Sequence, residues 1–166
     1  MIKIPYGIAE NIGWRESMED EHAIYEDWEK GFFSAEIYDG HGGKSASRIA
    51  SEMLTPYFLH AWSKESDKRI ESRRKHIDII REAYLAVDNY IIENRVGSGT
   101  TAAVFYIFEN GFIASNVGDT RIVIGVLKGA RTLTRDHRPG LADERERIER
   151  LGGAVITLDV PRVQGM

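Results

Sequence analysis

Two short segments hold the side chains with chemistry to offer. Arg15-Glu16-Ser17-Met18-Glu19-Asp20 brings a guanidinium and adjacent carboxylates; Asp39-Gly40-His41-Gly42-Gly43 brings a carboxylate, a pliable backbone and an imidazole. Carboxylate and carbonyl oxygens suit hard divalent cations, a guanidinium fork matches phosphate oxygens, and an imidazole that titrates near neutrality can move a proton. Together they are the parts of a metal-assisted phosphoryl-transfer site. Each has a plainer reading when taken singly. Glu19-Asp20-Glu21 reads as a surface acidic run, His41 as a hydrogen-bonded loop residue, Arg15 as a surface cation, and Asp119, between Gly118 and Thr120, as a turn residue. Glu19 and Asp20 are neighbours, so on a regular strand they would face opposite ways and only one would meet a metal directly.

These residues need elements to hold them. Phe33, Ala35 and Ile37 alternate with Ser34 and Glu36, which predicts a strand running straight into Asp39. After the glycines the period changes: Ala46, Ile49, Ala50, Met53, Leu54 and Tyr57 predict a helix, with Ser45 as its N-cap and Pro56 near its end or at a kink. Residues 62–74 mix both charge signs and read as a solvated loop or an exposed helix start. Ile77, Ile80, Tyr84, Val87 and Ile91 predict a second helix, closed by Asn94 and Gly97. From Thr100 the pattern is antiparallel sheet: 101–108, a Glu109-Asn110-Gly111 turn, 112–117, a break at Gly118-Asp119, 121–127, a Lys128-Gly129 turn and 131–134. Asp143 is placed to cap a short helix carrying Ile148 and Leu151 and closed by Gly152-Gly153, before a strand or hairpin from Ala154.

The 166 residues allow one domain with a real core, 1–166, and the order of elements predicts an α+β fold. A net charge of -4 gives no basic footprint for nucleic acid. The chain has no cysteine, which excludes a disulfide framework and a thiolate nucleophile. No apolar run is long enough to span a bilayer and the N-terminus has no signal-peptide pattern, so a cytoplasmic location is expected, with the nucleus open. Gly42-Gly43-Lys44-Ser45 follows a strand and opens a helix, like a phosphate-binding P-loop. Tyr38 stands where that pattern needs its first glycine, and the reading leaves Asp39 and His41 idle.

Six motifs in order carry a wider resemblance: Gly13-Trp14-Arg15-Glu16-Ser17-Met18-Glu19-Asp20, Tyr38-Asp39-Gly40-His41-Gly42-Gly43, Ser98-Gly99-Thr100-Thr101-Ala102, Asn116-Val117-Gly118-Asp119-Thr120-Arg121, Asp136-His137-Arg138-Pro139 and Arg162-Val163-Gln164-Gly165. The chain resembles the N-terminal part of the metal-dependent serine/threonine protein phosphatases of type 2C. The third residue of the last motif departs, with Gln164 for Asn, and Arg138 stands for Lys in the one before it. The resemblance implies an antiparallel β-sandwich flanked by helices in α-β-β-α layers, incomplete here. It implies two Mg²⁺ or Mn²⁺ ions bridged by Asp39, with the Gly40 carbonyl, Glu19 and Asp20 on one of them. Arg15 would bind the substrate phosphate, His41 would protonate the leaving oxygen, and Asp119 and Thr101 would support the periphery and any third metal. The substrate would be a phosphorylated protein, and the nucleophile a metal-activated water.

Family segments with further aspartates are not found in these residues. One metal site is therefore expected to be half built, with activity of this chain alone left open and sheet edges available for pairing with another chain. Two other readings stand beside it: a non-catalytic module that binds phosphoproteins or partner phosphatases, and the P-loop nucleotide binder.

Overall fold

The computed structural model describes residues 3–64 and 73–164. Its centre is an antiparallel sheet of β1 (Glu21–Asp27), β2 (Phe32–Tyr38), β5 (Ala102–Phe108) and β6 (Gly111–Val117), ordered β1-β2-β5-β6. Short β3 (Gly40–His41) and β4 (Gly99–Thr100) pair beyond the end of β2. Helices α1 (Ser45–Ser63) and α2 (Arg73–Glu93) cover one face of the sheet. Two hairpins complete the described chain: β7 (Val123–Val126) with β8 (Gly129–Thr132), and β9 (Ala154–Thr157) with β10 (Pro161–Gln164), the latter following α3 (Ala142–Arg150). The fold is α+β, as the order of elements predicts. The stretch 121–127 shortens to four strand residues, and its hairpin forms a sheet of its own.

The core lies between sheet and helices. Phe32, Tyr38, Val104 and Tyr106 meet Leu54 and Phe58 of α1 and Ile80 and Val87 of α2. The rings of Phe58 and Tyr106 stack with centroids 4.3 Å apart. Trp62 stacks on Phe108 at 4.6 Å, so the stretch read as solvated begins with a packed indole; residues 65–72 of it lie outside the described residues.

β2 is a strand as its alternation predicts, and its polar members face the core beneath the helices. Ser34 and Glu36 point into the core, 0% and 2% exposed, whereas Ile37 is 53% exposed. The reason is chemical. Ser34 Oγ donates to Glu36 Oε1 (2.6 Å), the Tyr38 and Thr55 hydroxyls also donate to the Glu36 carboxylate, and the Thr55 and Tyr106 hydroxyls are 2.8 Å apart. A buried carboxylate is tolerable when donors surround it. The other face of the sheet, with Ala35, Ile37 and Phe105, lines an apolar groove of about 540 Å³ shared with the N-terminal segment and residues 121–125.

Helix boundaries show further corrections. Ser45 is the first helical residue, not the cap, and Lys44 at the N-cap position makes no side-chain capping bond. The cap comes from a distant residue, because Ser98 Oγ accepts the Ala46 N–H at 3.0 Å. Helix α1 runs seven residues past Pro56. Helix α2 closes at Arg95, whose φ is +52°, with Arg95 N–H on the Ile92 carbonyl and Val96 N–H on that of Ile91. This is a Schellman closure with arginine in the position that usually favours glycine. In α3 the N-cap is Leu141; Asp143 sits in the first turn, where the Arg135 guanidinium grips it at 2.5 and 2.8 Å.

Candidate functional site

Asp39 is the first residue after β2, and its backbone is fixed on both sides by Thr101. Thr101 N–H donates to the Asp39 carbonyl (2.9 Å), and Asp39 N–H donates to Thr101 Oγ1 (3.1 Å). Beyond it, Gly40 pairs with Thr100 and His41 with Gly99. A side chain at Gly40 would overlap the Glu19 carbonyl oxygen and come within 2.9 Å of Ser47 Oγ. The absence of a Cβ there lets the segment before β1 lie directly against the loop, where Ser47 Oγ donates to the Glu19 carbonyl at 2.5 Å. That contact delivers Glu19 and Asp20 to Asp39.

Asp119 arrives on a different element. It sits in the turn after β6, which Asn116 ties down by donating its side-chain amide to the carbonyls of Gly118 (3.2 Å), Thr120 (3.2 Å) and Arg135 (2.8 Å). His137 N–H adds a bond to the Gly118 carbonyl at 2.9 Å. Gly118, at φ +85°, packs so closely on Thr101 that a Cβ would lie 2.8 Å from its Cγ2. Thr101 therefore touches both carboxylate-bearing loops. Arg121 leaves the same turn to bind Asp136 with two bonds of 2.8 and 2.6 Å, and Arg138 joins at 3.0 Å. The Arg121 guanidinium holds the Asp136 carboxyl below the ordinary carboxylate range.

Arg15, Glu19, Asp20, Asp39, Gly40 and His41 line one open cleft of about 690 Å³, and Trp14 and Arg162 lie along it as well. Asp119 does not line it, yet its charge acts on Asp39. The Asp39 carboxyl is pushed up from its ordinary range, first by burial, then by the like charges of Asp20 and Asp119; His41 opposes this. Asp20 stands within hydrogen-bonding reach of Asp39.

Glu19 and Asp20 precede β1, outside any helix or strand. Among the described residues, no three His, Cys, Asp or Glu side chains close into a ready-made metal cage. The donor chemistry nevertheless fits a hard divalent cation. Crowded carboxylates repel one another in the absence of positive charge, and a cation would reverse the sign of that interaction. Asp39, Asp20 and Glu19 could supply its carboxylate oxygens and Gly40 a carbonyl.

Apart from Asp119, the residues singled out on chemical grounds line one cleft; of those that hold them, Thr101 is one the resemblance implies and Ser47 is one that sequence reading missed. Ser98 and Asn116 stand in two of the six motifs without a role read for them, and Ser47 stands in none. Asn116, two residues before a Gly-Asp turn, is the one whose type and place gave a usable signal. Arg162, quoted only as part of a motif, reaches the cleft from the β9–β10 hairpin. The P-loop reading finds no support, since the Ala46 amide of α1 already bonds Ser98.

Residues 4–166 match the family model described as Protein phosphatase 2C. Among curated relatives, the chain is 34% identical to "Probable protein phosphatase 2C 14" of Arabidopsis thaliana over 154 residues, 90% of this chain and 33% of that protein. It is 33% identical over 178 residues to "Protein phosphatase 2C homolog 2" of Aspergillus flavus, covering 96% of this chain and 39% of that one. The chain thus spans about a third to two fifths of the length of these relatives. Among solved structures, the serine-threonine phosphatase 2C of Toxoplasma gondii superposes with a TM-score of 0.73 at 22% identity, over 93% of this chain and 58% of that chain. A C. elegans sex determining protein gives 0.76 at 24% identity, over 93% and 40%. These structural likenesses establish the fold.

Proposed function

Since the chain belongs to the protein phosphatase 2C family, we propose that it hydrolyses phosphoserine or phosphothreonine in proteins, with residues 1–166 acting as one domain. The observation that carries this reading is the meeting of Asp39 with Asp20, Glu19, His41 and Arg15 in one cleft. Asp39, Asp20, Glu19 and the Gly40 carbonyl would hold Mg²⁺ or Mn²⁺, with Asp119 acting on Asp39 from its turn. Bound divalent cations would supply Lewis acidity and lower the pKa of a coordinated water.

The protein's own residues do the rest. Arg15 presents a planar fork to two oxygens of the substrate phosphate and fixes its orientation. His41, on the same loop as Asp39, delivers a proton to the leaving serine or threonine oxygen. Thr101 keeps Asp39 and the Asp119 turn in a fixed relation, so the carboxylates would hold a cation with little reorganisation. Exposure of the cleft admits a phosphorylated side chain carried on a protein surface.

Hydrolysis of p-nitrophenyl phosphate by this chain, with Mn²⁺ and then with EDTA, beside Asp39→Asn, tests the reading. Turnover that needs both metal and Asp39 supports it. Metal-independent turnover, or turnover that survives Asp39→Asn unchanged, sinks it.

A further inference from the structure

Among the lining residues of the cleft that the chemistry above leaves unused is Trp14. Residues Ile12–Arg15 form a tight turn closed by Arg15 N–H on the Ile12 carbonyl at 3.2 Å. Gly13 adopts φ +58°, and its N–H is held by the Asn11 side chain at 2.7 Å. The turn lifts Trp14 clear of the protein: its indole is 104% exposed, as open as in an isolated peptide. Trp is the largest apolar side chain and normally buries most of its surface, so a fully hydrated indole at the lip of a cleft is a candidate for covering by a ligand. It is also adjacent to Arg15.

Which ligand follows from the charges. Beside Trp14 the cleft carries Glu16, Glu19, Asp20 and Asp39, against Arg15 and Arg162. In the reading above, the substrate phosphate faces Arg15, and bound cations offset Asp39, Asp20 and Glu19. Glu16 is left as the carboxylate of the rim, two residues from the indole. An indole face with a carboxylate nearby suits a guanidinium or ammonium, which stacks on the ring while its charge is balanced. An aliphatic partner would use the ring alone. The turn is fixed by two hydrogen bonds and an indole has only two rotatable bonds, so little order is lost on binding.

We propose that Trp14, with Glu16, is a specificity-determining subsite for an arginine or lysine flanking the phosphorylated residue of the substrate. This rests on the phosphatase reading, and a binding measurement separates the two. Two fluorescein-labelled thiophosphothreonine peptides, slow to hydrolyse, serve as probes: one with Arg on both sides of the modified residue, one with Ala. Their Kd is measured by anisotropy in Mn²⁺ for the unmodified chain, Trp14→Ala and Trp14→Phe, with circular dichroism confirming that both variants are folded. The unmodified chain is expected to bind the Arg peptide about 3- to 10-fold tighter than the Ala peptide. Trp14→Ala abolishes that preference and Trp14→Phe keeps part of it. An equal Kd for both peptides in the unmodified chain, a preference that survives Trp14→Ala, an equal weakening of both peptides, or no binding of either overturns the proposal. Absence of p-nitrophenyl phosphate turnover in the same preparation counts against the phosphatase reading instead, and leaves the peptide comparison as a separate result.

Discussion

Thr101 and Asp39 hold each other through reciprocal hydrogen bonds, amide to carbonyl at 2.9 Å and amide to hydroxyl at 3.1 Å, sixty-two residues apart in sequence. The second of these bonds depends on the threonine hydroxyl. Thr101→Val keeps the volume and the methyl contact with Gly118 but loses the acceptor. Loss of a residue that orients a metal ligand typically costs 10–100-fold in affinity or activity. We expect Thr101→Val to raise the Mn²⁺ concentration for half-maximal p-nitrophenyl phosphate turnover by roughly tenfold, with an unchanged circular dichroism spectrum. An unaltered Mn²⁺ dependence would show that the strand pairing alone orients Asp39.

Gly99 lies opposite His41 in the β3–β4 pair, where a Cβ would overlap Nε2 of the imidazole and lie 2.9 Å from Cε1. Gly99→Ala must therefore move the ring. Misplacing a general acid forfeits on the order of 100-fold in kcat. We expect a kcat for Gly99→Ala close to that of His41→Gln, with the Mn²⁺ requirement preserved. Wild-type kcat in Gly99→Ala would remove His41 from the proton-transfer role.

Asn116 donates to three backbone carbonyls around the turn that carries Asp119. Asn116→Ala leaves those acceptors short of a donor. Asn116→Asp sets a negative charge against them and is expected to be the worse of the two, by about 1–2 kcal/mol. Urea denaturation measures the difference, and equal destabilisation would show that the carbonyls are served by water instead.

Glu36 sits in the core, and burial pushes its carboxyl up from the ordinary range. The sign of the pH effect follows. Between the ordinary and the raised value the folded state binds more protons than the unfolded one, so stability falls as pH rises through that window and levels off above it. Glu36→Gln removes this slope. The two proteins should have similar stability below the window, and the Gln form should gain on the wild type above it. Parallel stability–pH curves would refute the assignment. Glu36→Ala, by contrast, strands buried hydroxyls and opens a cavity, and is expected to cost at least about 2 kcal/mol at every pH.

The parts of this fold visible in the sequence are those that local periodicity or motif chemistry controls. β2, both long helices, the β5–β6 hairpin and the Asp39–His41 loop all appear where alternation, helical spacing and glycine placement put them. What stayed hidden depends on partners distant in the chain. Ser34 and Glu36 look like the wet side of a strand until Thr55 and Tyr106 are brought against them. Ser45 looks like a cap until Ser98 takes the task. Trp62 looks like the start of a polar loop until Phe108 stacks on it. The candidate site shows the same division. Its reactive groups are legible by type and Thr101 by the resemblance, whereas Asn116 and Ser47, which also fix positions, act through backbone carbonyls that any sequence contains.

The cluster around Glu36 also constrains how this lineage can change. An apolar residue at position 36 alone would orphan the hydroxyls of Ser34 and Tyr38 and leave Thr55 only that of Tyr106, and an apolar residue at one of those positions would weaken the shell around a buried carboxyl. Replacing the group together can be nearly neutral, because paired polar groups and well-packed apolar ones of similar shape are close in free energy. The five positions Ser34, Glu36, Tyr38, Thr55 and Tyr106 are thus epistatic: each intermediate step lies in a fitness valley, and the set should be inherited, or lost, as a block.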